Sequence, residues 1–538
     1  MKINTKSMLY GAMILSTTNL IIRLLGFVYR VIISRMTGPQ GMGLIQLVMP
    51  VFHIAVTLTS AGIPVAVSRL ISEKNAKKDI SGMSSIMKAA FTIVLFVSAA
   101  TALLALFNLD FIAGRIIKDM RTKGALFILF PCIVFIGTGT VLKGFFYGIK
   151  DIHPPALSGI LEQLVRMAAV LGLLFWFMPK NNPAFAAMLV MLGTVLGEIV
   201  SLLILNSSYY RCKTDLQKQY RQINIPAKGK SAWYDRIKRL LVREVSENLK
   251  KTAGSIIAIA LPITATRLIH SFMSAANSIL IPQRLTAGGM PQEEAIGLFG
   301  IMSGMVMPLL FLPFSITNAL TVVIIPNLSE SLAMKKWEDI RNKINKSIKM
   351  TSIIGFPSTA LLASLGRPVG DLLYQQPLVG TFLIPLSLTL VFHAQQHTLS
   401  GILQGLGRQN RAAVHYIIGS IIQLMCSWFL LADPRIGIWG MVIGFSLSTI
   451  AVSSINMITV LKTVNMNFYL FDWVLKPAFA ALLLYLTTNA VYGILDSFQT
   501  PAVINLVLSA SLGLTLFAFS LWAVSGIPSP GRLIKKIY

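Results

Sequence analysis

The sequence predicts an all-α polytopic membrane protein with about fourteen transmembrane helices, in two six-helix lobes related by an internal repeat and followed by two C-terminal helices. Of its 538 residues, 54% are hydrophobic and only 12% are charged, whereas soluble domains carry about 25% charged residues. The mean hydropathy is +0.71. Apolar runs that reach the roughly 20 residues needed to cross a bilayer recur along the whole chain.

The apolar runs give the order of the helices. The first run exceeds the apolar core of a signal peptide, which has about 7–15 residues, so we expect it to be a retained span. The domains expected from the runs are a first lobe (1–206), a basic cytoplasmic linker (207–252), a second lobe (253–462), and two last spans with a basic tail (463–538). The predicted spans lie near 8–36, 43–71, 84–109, 124–148, 156–178, 184–206, 253–281, 295–327, 347–371, 378–403, 412–431, 436–461, 473–494 and 501–525.

Basic residues concentrate on one predicted side of the membrane. The termini and even-numbered loops together contain about 31 Lys and Arg, against about 8 in the other loops, although one outer loop (115–123) is also basic. The positive-inside rule therefore predicts cytoplasmic termini. We attribute the net charge of +27 to this orientation and to contact with anionic lipids, and we expect no nucleic-acid partner.

An internal repeat relates the two lobes. Glu73 at the end of span 2 corresponds to Glu330 at the end of span 8, and the glycine pair Gly144 and Gly148 corresponds to Gly401 and Gly405. All three pairs share an offset of 257 residues (401 − 144). A Gly-x-x-x-Gly pair is typical of close helix packing, and paired bundles that rock about a central site are typical of transporters.

Span 1 carries arginines at membrane depth. Asn19, Arg23, Gly26 and Arg30 fall on one face of a helix, although an arginine at the bilayer centre costs about 2.5–3.5 kcal/mol on the translocon-derived scale. An intramembrane ion pair would explain the stripe, but the span contains no acid, which favours a water-filled cavity. Arg35, at the end of the span, is expected to reach the lipid head groups.

Span 7 repeats this pattern with a second polar stripe. Arg267, His270 and Asn277 lie at helical spacing, and Arg69 lies near the cytoplasmic end of span 2, where an interfacial position explains it almost equally well. An electropositive cavity favours an anionic ligand, and the planar guanidinium suits phosphate. The predicted substrate-binding residues are Asn19, Arg23, Arg30, Arg69, Arg267, His270 and Asn277.

The remaining polar residues of the apolar spans can be explained without a role in substrate binding. Glu162 and Arg166 have the spacing of an ion pair within one helix. Glu198 either couples a proton or sodium ion or pairs with Arg166, and the sequence leaves both open. His393 and His397 have metal-ligand spacing but no third ligand nearby, so neither a metal site nor a cofactor is expected. Without a nucleophile–base set or paired carboxylates, we expect no enzyme.

Three stretches carry a resemblance to a known family. They are IIRLLGFVYRVIISRMTGPQGMGLIQLVMPVF, AGIPVAVSRLISE and VLKGFFYGIKDIHPPALSGILEQLVR. They resemble the stage V sporulation protein B group, within the superfamily of multidrug, oligosaccharidyl-lipid and polysaccharide exporters, from about residue 7 to the end.

The resemblance implies a fourteen-helix, two-lobe flippase that works by alternating access. In relatives that move the peptidoglycan precursor lipid II, a cationic cavity between the lobes receives the pyrophosphate, and the last two helices help to form a groove for the lipid tail. Arg23, Arg30 and Arg69 match arginines of those flippases. Their span-8 arginine is replaced here by Pro308, and Arg267 is expected to supply that charge from span 7.

The sequence and the resemblance together predict a flippase for an anionic lipid-linked oligosaccharide of the undecaprenyl-pyrophosphate type, with lipid II in spore-cortex or cell-envelope synthesis as the expected cargo. Its expected partners are this lipid, the bacterial cytoplasmic membrane and enzymes of cell-envelope synthesis. The driving force is left open between the membrane potential and an ion bound at Glu198. The alternatives are a cation-coupled multidrug antiporter, a membrane-embedded glycosyltransferase or polymerase, and a non-transporting envelope scaffold.

Overall fold

The computed structural model describes residues 5–177, 182–223 and 232–525, and within these residues the regular structure is helical, with no strand. The centre of the predicted basic linker (224–231) and the predicted tail (526–538) lie outside the described residues. Helices thus follow the apolar runs throughout the described chain, which confirms the all-α class.

The helices are numbered here in chain order. The first ten are α1 Thr5–Ser60, α2 Ile63–Ala76, α3 Ile80–Phe107, α4 Leu109–Phe111, α5 Lys123–Leu129, α6 Cys132–Gly148, α7 His153–Phe177, α8 Pro183–Ile223, α9 Ala232–Ala287 and α10 Gln292–Gly300. The others are α11 Met307–Phe311, α12 Phe314–Ala333, α13 Trp337–Tyr374, α14 Pro377–Ser387, α15 Leu390–Gly405, α16 Gln409–Leu430, α17 Trp439–Val464, α18 Lys476–Ser497 and α19 Ala502–Ser525.

Eleven helical stretches of the described chain are long and apolar enough to span a membrane, or up to thirteen if two bent pairs each count as one span. The stretch Thr17–Ala76 has 60 residues, about 90 Å of helix, which is far more than one span requires. It breaks at Gly38, whose φ of 66° is in the left-handed region that glycine adopts without a Cβ clash. A division at Gly38 would bring the total to fourteen, so that number stays a prediction.

Several predicted single spans are broken. The predicted span 124–148 bends by 40° between α5 and α6, and 378–403 bends by 57° between α14 and α15. The predicted span 295–327 is interrupted at Pro313 between α11 and α12. Proline lies at or near these breaks because it lacks a backbone N–H and clashes with the preceding turn.

The chain forms two compact units. The first contains Met1–Tyr29 and Leu44–Ile279, and the second contains Arg30–Gly43 and Leu280–Tyr538. These units differ from the predicted lobes because most of span 7 groups with the first unit and the end of span 1 with the second. The units are defined by contacts within the structure, whereas the lobes are defined by the repeat in the sequence. The units therefore do not test the lobe boundaries, which stay a prediction.

The core of the first unit lies where α6 packs against α2 and α3. A Cβ on Gly144 would lie 3.0 Å from the carbonyl oxygen of Pro64, and one on Gly148 only 2.7 Å from Cβ of Ile71. The two helices therefore approach so closely that no side chain fits between them at these positions. The prediction of a close packing face is confirmed.

The second unit repeats these contacts with its own glycines. A Cβ on Gly401 would lie 2.4 Å from the side chain of Thr321, and one on Gly405 would lie 3.0 Å from Cβ of Leu328. These α12 residues correspond to Pro64 and Ile71 at the same offset of 257. The internal repeat therefore includes specific helix contacts.

The two C-terminal helices are predicted to lie outside the internal repeat. α18 and α19 pack against each other and against α13, through an apolar cluster that includes Ala360, Leu484 and Phe517. The two helices are thus attached to the second unit through α13.

Candidate functional site

A cavity of about 820 Å³ lies within the first unit, along the polar face of α2. Its walls come from α2, the end of α6 and the middle of α9. The lining residues are Ala61, Pro64, Val65, Ser68, Arg69, Ser72, Glu73, Ala76, Tyr147, Lys150 and Arg267.

The sequence around Gly62 brings α2 against α9. A Cβ on Gly62 would lie 2.2 Å from the carbonyl oxygen of Ala260, so any larger residue would push the helices apart. The Gly62 N–H also donates to Oγ1 of Thr264 at 3.1 Å. Arg267, three residues later on α9, consequently lies on the wall of the α2 cavity.

The cavity is cationic. Arg69, Lys150 and Arg267 contribute three positive charges against the one carboxylate of Glu73. The Arg69 guanidinium lies 3.4 Å from Glu73, but the two side chains remain 68% and 57% exposed, and an exposed pair of this kind contributes at most about 1 kcal/mol. Among the described residues, no carboxylate lies within 4.0 Å of Arg267. The cavity can therefore bind an anion without first breaking a strong ion pair.

The structure brings together two of the predicted substrate-binding residues, Arg69 and Arg267. His270 and Asn277 follow Arg267 on α9 and are partly buried, but they do not line this cavity. Ser271, the residue after His270, shares a 2.9 Å hydrogen bond with Thr57 of α1. This part of α9 therefore also contributes to the packing of α9 against α1.

The arginine stripe of α1 is exposed but does not line the same cavity. Asn19, Arg23 and Arg30 are all exposed on one helix, and among the described residues no carboxylate lies within 4.0 Å of Arg23. The predicted role of these three residues in substrate binding stays a prediction.

Arg35, which is expected to reach the lipid head groups, also contacts the end of α13. Its guanidinium Nε donates to the carbonyl oxygen of Leu373 at 2.7 Å, and Nη2 donates to that of Leu372. α13 ends at Tyr374, so its last carbonyls have no partner within the helix, and a cation there is favoured by the helix dipole. Arg35 therefore caps α13 within the second unit.

Glu198 lies in a partly buried group of four charges in the first unit. Arg166 Nη2 lies 2.5 Å from Oε1 of Glu162 and 3.4 Å from Oε1 of Glu198, which confirms that both acids pair with Arg166. Lys143 of α6 lies 4.0 Å from Oε2 of Glu162. The pairing interpretation of Glu198 is thus observed, while ion coupling remains a hypothesis.

The two histidines of α15 have separate surroundings. The ring of His393 lies 4.7–5.8 Å from the rings of Phe311, Phe314 and Phe445. Nδ1 of His397 lies 3.1 Å from Oγ1 of Thr321. Packing accounts for the first ring, and a hydrogen bond to α12 accounts for the second.

Sequence reasoning missed several lining residues. The sequence predicts Lys150 only as a basic residue of a cytoplasmic loop, and the predicted site does not include Tyr147, Ser68 or Ser72. The serines could have been found, because Ser68 and Ser72 lie with Arg69 and Glu73 on one helical face. Lys150 lies in the turn after α6 with a φ of 63°, and only the fold brings it to α2.

Two protein-family models match this chain and together cover most of its length. Residues 8–332 match the model of the polysaccharide biosynthesis protein family, and residues 305–513 match that of the lipid II flippase MurJ. The chain belongs to the polysaccharide biosynthesis protein family.

A relative in Bacillus subtilis (strain 168) extends this assignment over most of the chain. Stage V sporulation protein B of that organism is 27% identical over 474 residues, covering 88% of this chain and 87% of its own. The predicted resemblance to the stage V sporulation protein B group is confirmed.

Solved structures support the same fold. The lipid II flippase MurJ in an inward closed conformation matches with a TM-score of 0.69 and 15% identity, over 94% of this chain and 98% of its own. An inward-facing multidrug resistance MATE family transporter of the MOP superfamily matches with a TM-score of 0.64 and 15% identity, over 83% and 98%. This family member is therefore a multi-pass membrane protein with the MOP fold, and the fold alone does not decide its cargo.

Proposed function

We propose that the protein is a flippase that moves an anionic lipid-linked oligosaccharide across the cytoplasmic membrane by alternating access. The observation that carries the proposal is the cavity of the first unit, in which three cations face a single carboxylate. The family assignment and the flippase named among the matching structures support it.

The proposed ligand of the cavity is the pyrophosphate of the lipid head group. Arg69 and Arg267 present planar guanidinium groups that match two phosphate oxygens at once, and Lys150 adds a point charge. The Arg69–Glu73 pair is exposed and weak, so a pyrophosphate can replace Glu73 as the partner of Arg69. Hydrogen bonds to charged groups contribute about 1.5–3 kcal/mol each.

Asn19, Arg23, Arg30, His270 and Asn277 complete the proposed set of substrate contacts. Their exposed or partly buried positions on α1 and α9 allow a second stage of binding after the head group leaves the α2 cavity. The lipid tail stays in the bilayer throughout, both termini are cytoplasmic, and no bond is broken, so the protein is not an enzyme. A peptidoglycan precursor such as lipid II, in spore-cortex or cell-envelope synthesis, is the proposed cargo.

A cation-coupled multidrug antiporter is the second candidate, because a MATE transporter has the same fold. A cationic drug requires an unpaired acid in its cavity. Glu73 is the one carboxylate of the described cavity lining, and Arg69 lies beside it. The charge of the site therefore favours the anionic cargo.

The test measures flipping in proteoliposomes that contain a fluorescent undecaprenyl-pyrophosphate sugar and are treated with a membrane-impermeant quencher. Arg267→Ala removes a cavity cation, and the matched control Arg211→Ala removes an exposed arginine of α8 that is not part of the cavity. We expect the first variant to flip about 10- to 100-fold more slowly, since 1.4 kcal/mol corresponds to a factor of ten. The control should retain the wild-type rate.

Equal loss in both variants would mean that overall charge, not this cavity, matters. Export of a cationic dye without any movement of the lipid would establish the antiporter instead. Movement of neither probe, in protein that is folded by circular dichroism, would favour the non-transporting scaffold.

A further inference from the structure

The contact between α7 and α8 in the first unit holds charges in the middle of two helices that are long and apolar enough to span a membrane. A Cβ on Gly197 would lie 2.9 Å from the carbonyl oxygen of Glu162 and 3.1 Å from Cβ of Arg166. Because glycine allows this approach, Glu198, the next residue, reaches the charged side chains of α7. The cluster is thus built into one of the tightest helix contacts of this unit.

The cluster contains two acidic and two basic side chains, but the two carboxylates do not have equal contacts with the cations. Glu162 and Glu198 oppose Lys143 and Arg166, and these side chains are between 15% and 30% exposed. Glu162 has Arg166 at 2.5 Å on one oxygen and Lys143 at 4.0 Å on the other. Among the described residues, the one cation within 4.0 Å of Glu198 is Arg166, at 3.4 Å. Nε of Arg166 is buried and has no hydrogen-bond partner among the described residues.

A buried carboxylate is costly unless it is paired and hydrogen-bonded. Since Glu162 holds the shorter contact to Arg166, Glu198 is the carboxylate of this cluster that gains most from binding a proton. The groups that face it are Lys143 and Cys132 of α6 and Glu162 and Arg166 of α7.

Other elements packed against α8 add no free charge near Glu198. α5 begins with Lys123, which pairs with Asp110, and the turn before α5 contains Arg121, which lies 2.9 Å from Asp119. Among the described residues, the charges that act on Glu198 are therefore those of α6 and α7.

The other face of α7 packs against the helix that carries Arg23. A Cβ on Gly159 would lie 3.1 Å from the side chain of Ile22, and one on Gly26 would lie 3.7 Å from Gln163. Gln163 is adjacent in sequence to Glu162. α7 therefore contacts α8 at the charge cluster and α1 within one turn of Arg23.

We propose that Glu198 is a proton-binding site that couples a proton gradient to the movement of the substrate. Its carboxylate takes a proton from water, which leaves Arg166 to Glu162 alone and loosens the link between α7 and α8. When the proton leaves, Arg166 is shared again and the link tightens. No other bond forms or breaks.

Proton binding is tested first by infrared difference spectroscopy of the full-length protein in lipid, over a pH titration. This measurement does not depend on the proposed cargo. Wild type should show a carbonyl band of a protonated carboxylic acid that Glu198→Gln abolishes and the control Glu330→Gln, in α12, retains. In Glu162→Gln the midpoint of the band should shift to lower pH, because Arg166 then belongs to Glu198 alone.

The coupling is tested in proteoliposomes with the fluorescent undecaprenyl-pyrophosphate sugar, with the membrane potential clamped and a pH gradient imposed. This part rests on the proposed function. The gradient should accelerate flipping in wild type and in Glu330→Gln, and should have no effect in Glu198→Gln.

A band that survives Glu198→Gln, or a midpoint unchanged in Glu162→Gln, would overturn the proposal whatever the cargo. A gradient that still accelerates flipping in Glu198→Gln would overturn it as well. If the infrared band behaves as expected but the lipid does not move in wild type, proton binding at Glu198 stands and the proposed cargo fails.

Discussion

At the scale of single residues, whether a charged side chain can bind a ligand depends on the contacts that the fold gives it. Arg35 and Arg267 look alike in sequence, since both are arginines in apolar helices. Arg35 donates to the end of α13, whereas Arg267 lies on the wall of a cavity and has no carboxylate within 4.0 Å among the described residues. Only the second is available to a ligand.

Asp79 illustrates a residue whose effect depends on pH. It caps α3 by accepting the Gly82 N–H at 2.7 Å, and Lys74 lies 2.8 Å away. The hydrogen bonds from Lys74 and from the Gly82 N–H hold the pKa of Asp79 below its usual value. A lowered pKa stabilises the fold above the ordinary value near 3.9, and this contribution is lost as the pH falls through the folded pKa.

We expect Asp79→Ala to accelerate amide hydrogen exchange at the start of α3 about fivefold at pH 7, because loss of an N-cap costs about 1 kcal/mol. Asp79→Asn keeps a capping oxygen and should differ less from wild type. The difference between variant and wild type should shrink at pH values below the folded pKa. Exchange rates that are equal at pH 7 would show that the cap contributes nothing.

At the scale of helices, the glycine pairs determine which elements touch. The sequence predicted these contacts, because two glycines four positions apart in an apolar helix leave a groove whatever the rest of the fold does. It did not predict the breaks at Pro313 and between α14 and α15, because a membrane helix can also accommodate a proline without a break.

A matched pair of substitutions tests this packing. In Gly148→Ala the new methyl group would lie 2.7 Å from Cβ of Ile71, and such overpacking costs about 1–3 kcal/mol. In Gly172→Ala nothing lies within 4 Å of the new atom, and the higher helix propensity of alanine is the main effect. We expect a lower thermal unfolding midpoint in detergent only for Gly148→Ala.

The candidate site was only partly predictable, because some of its residues are placed there only by the packing of the helices. Arg69 and Arg267 were found because charge is rare in apolar spans and therefore conspicuous. Lys150 was not found, since a lysine in a turn between spans is the ordinary case and its approach to α2 depends on the packing of α6. The sequence predicts Arg166 as a partner of Glu162 and allows it as a partner of Glu198, but it does not predict Lys143, because only the fold brings this α6 residue to Glu162.

At the scale of the whole molecule, charge distribution predicts the orientation of the chain. Single cysteines introduced in a cysteine-free background test it, with Ser497→Cys at the C-terminal end of α18 and Asn467→Cys in the segment before α18. Both positions are exposed. A membrane-impermeant maleimide added to intact cells should label the first position and not the second, and the reverse pattern would invert the topology.

The repeated contacts have a consequence for the history of the molecule. At the offset of 257, Arg69, Glu162 and Arg166 correspond to Pro326, Gly419 and Gln423, so the second copy keeps the glycine framework without these charges. After a duplication, only one of the two copies has to retain a given set of charged residues, and the sequence of the other copy can change. The two copies are therefore unequal descendants, alike in how they pack their helices and different in the charges that they carry at these positions.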